Sequence, residues 1–579
     1  MRAKLQVDGE WKRGVQLLRR LVATSMSDVA ATLAQAEAEA AAGHWVVGWV
    51  CYDAAPAFDR ALVARRSRGL PLAAFGVYRE LAPASAPWVH DFSVGSWRPG
   101  IRRARYLERV ADVRRYIASG DTYQVNLTLP LRASFEGDPA GLFAQLVNAQ
   151  PVEFAAYLEW DNFCVCCASP ELFFERVTDA NGTTQLTTRP MKGTAARDPD
   201  PFGDPERARA LAASEKDRAE NVMITDMLRN DLGRIAIPGS VQVPALCEVE
   251  TYPTVHQMTS TVTATASVRG QSLPDIFRAL FPCASITGAP KVRTMHIIRE
   301  LEAKPRGLYC GALGLIRPGG DCSFSVVIRT AVVDRERGRV DYGVGGGIVW
   351  DSVAEQEWEE CRIKTAVLRA PPVAFALLET MYWSPVDGVR NWARHRARLE
   401  RSAGYFHYEL DLPAIEQALS DLNHSEACRL RLTSARSGAF ELEVHPLPQP
   451  STEAWQVPLD SVPVDPNDVF LYHKTTRRTV YDEARARHPD APDVILQNTR
   501  GELTETSIGN LVLVLDGVSY TPPITCGLLA GVRREELLAS GELKERVLTP
   551  ADLECAEAVY MINDLRGSVA VTIEETDET

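Results

Sequence analysis

Hydrophobic and polar positions follow two rhythms along this chain. Between Ser27 and Ala42 apolar residues recur at helical spacing among Ala, Gln and Glu, which predicts an amphipathic surface helix. Trp45 to Tyr52 is an apolar run of strand length, and Phe163 to Ala168 alternates as a strand does. Helix and strand signals then interleave to about Leu368 and stop at Ala370-Pro371-Pro372. Proline lacks the amide hydrogen a helix needs and biases its predecessor toward extended geometry, so the pattern places a domain boundary here, between residues 1–370 and 371–579. Beyond it, short strands surround a helix from about Asn391 to Ala403, with a further strand at Asn510 to Leu515. No repeat of fixed period interrupts this order.

A length of 579 residues agrees with at least two separately cored units. With 45% hydrophobic and 24% charged residues the composition is that of a soluble globular protein. The formal net charge of -13 disfavours general attraction to nucleic acid or an anionic membrane, so an anionic small substrate would need a local basic pocket. The first residues lack the apolar run of a signal peptide, and no stretch approaches the roughly 18 apolar residues of a membrane span. A cytoplasmic location is expected. The 12 cysteines show neither a disulfide framework nor a paired C-x-x-C metal spacing. The densest group, Cys164, Cys166 and Cys167, falls in the alternating run and reads as buried packing, with no histidine close in sequence.

Several polar clusters fall where a core would not need them. They are Gly120 to Leu127 (GDTYQVNL), Ser169 to Phe173 (SPELF), Arg189 to Thr194 (RPMKGT), Glu215 to Asp231 (EKDRAENVMITDMLRND), Pro282 to Lys291 (PCASITGAPK) and Gly343 to Ser352 (GVGGGIVWDS). In this order, across nearly all of residues 45 to 368, the chain resembles the chorismate-utilising enzymes. The resemblance implies an α+β fold with a two-sheet β core flanked by helices. It also implies Mg2+, a hard cation suited to orienting carboxylates. It assigns the metal to Glu220 and Glu360, with Glu357 three residues earlier on the same helical face; alone, Glu357 to Glu360 would read as a solvated acidic face. Substrate carboxylates would fall to Arg329, in the strand-like run Phe324 to Thr330, beside Tyr309, Thr287 and the backbone of Gly345, Gly346 and Gly347. His256 matches a family active-site histidine.

Lys192 separates the branches of that family. Anthranilate and isochorismate synthases typically have alanine at the matching position, whereas aminodeoxychorismate synthases resemble this sequence in carrying lysine. The resemblance implies that its neutral amine adds to C2 of the ring as the 4-hydroxyl leaves, with Glu171 as general acid and base. A plain turn lysine before Gly193 is the bland alternative. No glutaminase signature is visible, so ammonia would come from solution or from a separate glutamine amidotransferase subunit.

From about Ala374 the vocabulary changes. Asn391 to Leu399 (NWARHRARL), Tyr472 to Thr476 (YHKTT), Gly501 to Asn510 (GELTETSIGN) and Cys526 to Arg534 (CGLLAGVRR) resemble the fold-type IV pyridoxal phosphate enzymes, which include class IV aminotransferases and aminodeoxychorismate lyase. A smaller domain of that fold is implied. Lys474 matches the Schiff-base lysine and Glu505 the carboxylate facing the pyridine nitrogen. Arg398, with the backbone at Gly531 and Val532, matches the phosphate cradle. Arg533 stands where relatives usually have threonine, and Gly509 replaces a frequent serine. Together the two resemblances imply a fusion that makes 4-aminobenzoate for folate from chorismate and ammonia, and fold-type IV relatives are commonly homodimers. The competing reading is an anthranilate synthase component joined to a branched-chain or D-amino acid aminotransferase-like domain.

Overall fold

The computed structural model describes residues 1–67, 69–86, 90–368, 375–449 and 453–573; the expected boundary at Ala370-Pro371-Pro372 lies outside them. The chain divides into two compact units, one of residues 1–196 and 208–372, the other of 197–207 and 373–579. Assignment of Arg197–Arg207 to the second unit is a feature the hydrophobic pattern did not suggest.

Nineteen strands of the first unit join in one hydrogen-bonded network among the described residues. Its inner strands are buried on both faces, and their period of two sends neighbours into different cores. On Trp45–Val50, Val46 and Val50 enter a core capped by helices while Val47 and Trp49 enter one built of strands and the loop residues Cys51, Leu308 and Val327, with no helix. Phe163–Ser169 behaves alike: Cys164 and Cys166 pack on the helical side, Val165 and Cys167 on the strand side. All three cysteines are free and buried, as the alternation predicts. A strand-lined interior with helices outside is the two-sheet core flanked by helices. The early helix runs Asp28–Ala41 and buries Val29, Thr32, Leu33, Ala36 and Ala40 on one face.

Three elements position the first site. Met191–Ala196 pairs antiparallel with Val255–Thr265 and carries Lys192, so this lysine stands on a strand and the turn alternative is set aside. Glu215–Gly233 is started by the Ser214 hydroxyl accepting the Asp217 N–H, with acids in its first turn favouring the helix dipole. It buries Asn221, Ile224, Thr225, Leu228 and Leu232, which leaves Glu220 on a flank. Arg339–Ile348 lies between Gln124–Gly137 and Thr330–Asp334, turning Val340, Tyr342, Val344 and Ile348 into a core and leaving Gly343, Gly345 and Gly347 on the other face.

In the second unit a four-stranded antiparallel sheet holds Leu377–Ser384 between Gly388–Val389 and Cys428–Ser434, with Phe440–Pro446 beyond. Helix Trp392–Phe406 covers it, Leu399, Ala403 and Phe406 meeting Leu377 and Met381. Asn391, at its start, takes a left-handed conformation that asparagine tolerates. A larger sheet runs Trp455–Val457, Gly567–Ile573, Ala558–Asn563, Asn510–Leu515, Leu503–Thr506, Ile495–Gln497.

Candidate active sites

In the first unit, Lys192, Glu171, Glu220, Glu357, Glu360, Arg329 and Tyr309 line one cleft, although up to 189 residues separate them in sequence. Burial lowers the pKa of Lys192; Glu220 opposes this and Lys364 adds to it. The lysine passes over the glycine strand, where a Cβ on Gly347 would lie 3.0 Å from its Nζ and collide with the Gln124 amide. Glu171 is 3% exposed and accepts a hydrogen bond from Ser285 Oγ at 2.5 Å. Burial pushes this carboxyl up to about 7, a value suited to holding and releasing a proton near neutrality.

Glu220 is likewise raised to about 7, by burial and by the charges of Glu357 and Glu360, with Lys192 opposing. Glu357 accepts from Ser352 Oγ at 2.7 Å and is raised by burial and by Glu360. Burial also favours the neutral form of Glu360, but Lys364, bonded to it at 2.5 Å, outweighs burial and holds it below the usual range. Among the described residues, no three acidic, histidine or cysteine side chains are gathered closely enough to hold a metal. The carboxylates share a cleft, to which Lys364 and Lys216 add positive charge besides Lys192 and Arg329. Neither lysine was singled out from the sequence. Lys364 follows Glu360 at i+4, which reads as a solvated helical pair.

Arg329 is 9% exposed, donates to the Gln150 side-chain oxygen Oε1 and has no acidic partner among the described residues. A buried guanidinium without a counter-charge is costly, and a bound carboxylate would relieve it. Its backbone is left-handed (φ 49°), in the bend between strands Cys322–Val326 and Thr330–Asp334, so the continuous strand expected from Phe324 to Thr330 is interrupted here. Three further residues singled out from the sequence are placed away from the cleft lining. Thr287 donates its hydroxyl to Cys283 O at 3.0 Å and does not line the cleft. His256, 1% exposed, meets Thr251 Oγ1 at 3.0 Å and also lies off the cleft, whereas its neighbour Gln257 lines it. Gly345 and Gly347 line the cleft; Gly346 faces helix Ala354–Ile363, where a Cβ would stand 3.2 Å from Glu357 Oε2.

In the second unit, Lys474, Glu505, Arg398, Gly531 and Val532 line a cavity of about 700 Å³. Burial lowers Lys474 to about 8, helped by Arg398 and Arg478. Glu505, 4% exposed, accepts from Tyr481 Oη at 2.7 Å, Leu529 N at 3.1 Å and Asn510 Nδ2 at 3.3 Å, while burial raises it to about 7. Sequence reading passed over Tyr481, twenty-four residues before its carboxylate. Arg398 forms a two-point pair with Glu379, Nε to Oε1 at 2.9 Å and Nη2 to Oε2 at 2.6 Å. Burial opposes ionisation of Glu379, but Arg398 and His395 overcome it and hold the carboxyl at about 2. Gly531 caps helix Val532–Ser540, whose unpaired amide end gives a partial positive charge; a side chain at 531 would strike Asn510. Arg533 pairs with Glu536 at 2.6 Å and does not line the cavity. Gly509 does line it, and a Cβ there would collide with Met561 and lie 2.7 Å from Ile562 O, which accounts for the absent serine.

The sequence model of the chorismate binding enzymes matches residues 12–370, and the chain belongs to that family. A second model, amino-transferase class IV, matches residues 376–573, so a fold-type IV domain follows the chorismate-binding one. Aminodeoxychorismate synthase component 1 of Salmonella typhimurium is 44% identical over 284 residues, 49% of this chain and 61% of that protein. Anthranilate synthase component 1 of Streptomyces coelicolor is 39% identical over 298 residues, 50% of this chain and 57% of that protein. The chain thus spans about three fifths of these relatives' length. Among solved structures, anthranilate synthase component I from Streptococcus pneumoniae aligns with a TM-score of 0.51 and 24% identity, covering 63% of this chain and 90% of that one, a likeness of fold. Among the described residues no helix is long and apolar enough to cross a membrane.

Proposed function

We propose that this chain aminates chorismate in its first unit and converts the product to 4-aminobenzoate and pyruvate in its second. The observation that carries this reading is Lys192. A buried amine with a lowered pKa, in one cleft with a carboxyl near 7 and an uncompensated arginine, has the properties of a nucleophile beside an acid and a carboxylate receptor. The anthranilate synthase alternative leaves that amine without a task.

In the first reaction Arg329 receives a substrate carboxylate, and the neutral Lys192 amine bonds to C2 as the C4–O bond breaks. Glu171 gives its proton to the departing hydroxyl, which leaves as water. Ammonia then bonds to C4, Lys192 leaves C2, and the proton lost by nitrogen restores Glu171. Glu220, Glu357 and Glu360 are hard-oxygen donors of the kind Mg2+ takes; they line one cleft without being drawn together into a ligand set, and would have to close on the ion, which when bound would neutralise and orient carboxylates. Ammonia comes from solution or from a glutamine amidotransferase partner.

The second cavity fits pyridoxal phosphate, which when bound supplies an electron sink. Lys474 would hold it covalently, Glu505 would face its ring nitrogen, and Arg398 with the amide end at Gly531 and Val532 would hold its phosphate. Lys474 would also serve as base for the C4 proton; the C3–O bond breaks as the ring becomes aromatic, and the enolpyruvyl group takes up a proton and leaves as pyruvate. The product fits folate synthesis and a cytoplasmic setting, and a homodimer through the second unit agrees with its fold type.

The test is to incubate the purified chain with chorismate, ammonium, Mg2+ and pyridoxal phosphate and identify the aromatic product. Formation of 4-aminobenzoate is expected; 2-aminobenzoate would overturn the reading.

A further inference from the structure

The first unit contains a second cavity, of about 300 Å³, that the proposed reaction does not use. That volume is at the lower end of small-ligand sites. Its lining has six cationic side chains, Arg109, Arg132, Lys304, Arg306, Arg337 and Arg339, against three carboxylates, Glu302, Asp334 and Asp341. The carboxylates are already engaged. Glu302 is held by Arg306 and by the Thr128 backbone and hydroxyl. Asp334 is held by Arg337, and Asp341 by both Arg132 and Arg339.

Positive charge is therefore left over inside an acidic protein. Arg109, on helix Arg103–Ala118, is half-buried and has no ion pair or hydrogen bond among the described residues, and its Nε is shut away from water. Arg339 Nε is buried without a partner too. Lys304 has no ion pair among the described residues. The two buried Nε donors, left unsatisfied, cost free energy that an anion would recover. Leu70, Ile101, Leu129, Phe163 and Val332 give the wall an apolar part, beside the hydroxyls of Ser67, Thr128 and Thr330. Tyr309, Tyr342 and Gly343 line this cavity and the Lys192 cleft alike, and the Tyr309 ring lies against Gly343 so closely that a side chain there would overlap it.

We propose that this cavity is a ligand site for a small ring-bearing carboxylate, held by Arg109 and Lys304 and packed on the apolar wall, and that its occupant acts on the Lys192 cleft through Tyr309 and Tyr342. The effect on catalysis rests on the chorismate reading above; binding does not.

Calorimetric titration of the full, pyridoxal phosphate-loaded chain with benzoate, 4-aminobenzoate and inorganic phosphate tests the site without turnover. Benzoate is expected to bind about tenfold more tightly than phosphate, and Arg109→Ala or Lys304→Ala should weaken it by about tenfold or more, as loss of a charged hydrogen-bonding partner does. Tighter binding of 4-aminobenzoate than benzoate would make the chain's own product the occupant; equal binding would make it aryl carboxylates at large. Lys304 is exposed, so its variant guards against misfolding of the Arg109 variant. In steady state, benzoate should change the kcat for chorismate in the parent chain and not in either variant. Benzoate binding that survives both substitutions, phosphate binding as tight as benzoate, or inhibition purely competitive with chorismate would each overturn the proposal.

Discussion

Both units bury a lysine and set it near a carboxyl raised to about 7, yet the surroundings are of opposite sign. Around Lys192 the strongest influences besides burial and Lys364 are Glu220, Glu171 and Glu360, all favouring a cation. Around Lys474 they are Arg398 and Arg478, which disfavour one, ahead of Glu379 and Glu505. A cleft of carboxylates suits a metal ion and a substrate presented through it, whereas a cavity of guanidiniums and a helix N-terminus suits a phosphate. Similar lysines are thus prepared for different partners by their neighbours.

The largest expected effect separates the two. Lys474→Ala removes both the cofactor tether and the proton-transfer amine, so 4-aminobenzoate formation should fall by at least about a thousandfold. Aminodeoxychorismate should accumulate, measured by chromatography, and an added lyase should restore 4-aminobenzoate. Loss of amination in the same variant would show that the sites do not act independently. Lys192→Ala should do the converse, lowering amination by about a hundred- to ten-thousandfold while the cofactor remains attached, as borohydride reduction and peptide mass mapping of Lys474 would show. A Lys192→Ala chain aminating at the parent rate would end its assignment as nucleophile.

The carboxylate side of the comparison is sharpened by Glu220→Gln and Glu360→Gln. Each removes a charge from the cleft, and Mg2+-dependent amination should drop by about a hundredfold or more. Unchanged Mg2+ titration curves in both would remove the metal from this cleft. A smaller effect comes from pH. Glu171 must be protonated to assist departure of the hydroxyl, and its pKa lies at about 7. The protonated fraction, and kcat for amination with it, should fall about tenfold per unit above that value. Glu171→Gln should abolish that limb. Persistence of the limb in the variant would assign it elsewhere.

Much of both sites was legible because each motif has its own sequence grammar. Lys192, Glu171, Glu220 and Glu360 line one cavity, and Lys474 and Glu505 line the other. What sequence could not show is which faces the long-range pairing would turn inward. The backbone of Gly345-Gly346-Gly347 reads as one anion receptor, but strand periodicity divides it between two faces. Thr287 sits in a recognisable motif, yet its hydroxyl is spent on the bend of Cys283–Thr287. Lys364 meets Glu360 at helical spacing, and Tyr481 reaches Glu505 from helix Thr479–Arg487 to strand Leu503–Thr506, where local patterns resemble ordinary surface charge and core packing. The grouping of Arg197–Arg207 with the second unit has no signature in hydrophobic order at all.

The finest test uses one glycine from each site. Gly347 sits under Lys192, and a methyl there would stand 3.0 Å from the reactive nitrogen and press on the Gln124 amide, whose buried atoms have no hydrogen-bond partner to hold them. The flexible lysine would yield, so Gly347→Ala should leave the melting temperature nearly unchanged while misplacing the amine and slowing amination by about tenfold. Gly509 meets the Met561 side chain and, at 2.7 Å, the carbonyl of Ile562 in the adjoining strand. Backbone cannot yield as a lysine can, so Gly509→Ala should destabilise the second unit by about 1–3 kcal/mol, the usual cost of overpacking. Thermal melts and the two product assays read these outcomes separately. A melting loss at Gly347 equal to that at Gly509, with amination intact, would show that the glycine strand is shaped for packing and that Lys192 owes its position to something else.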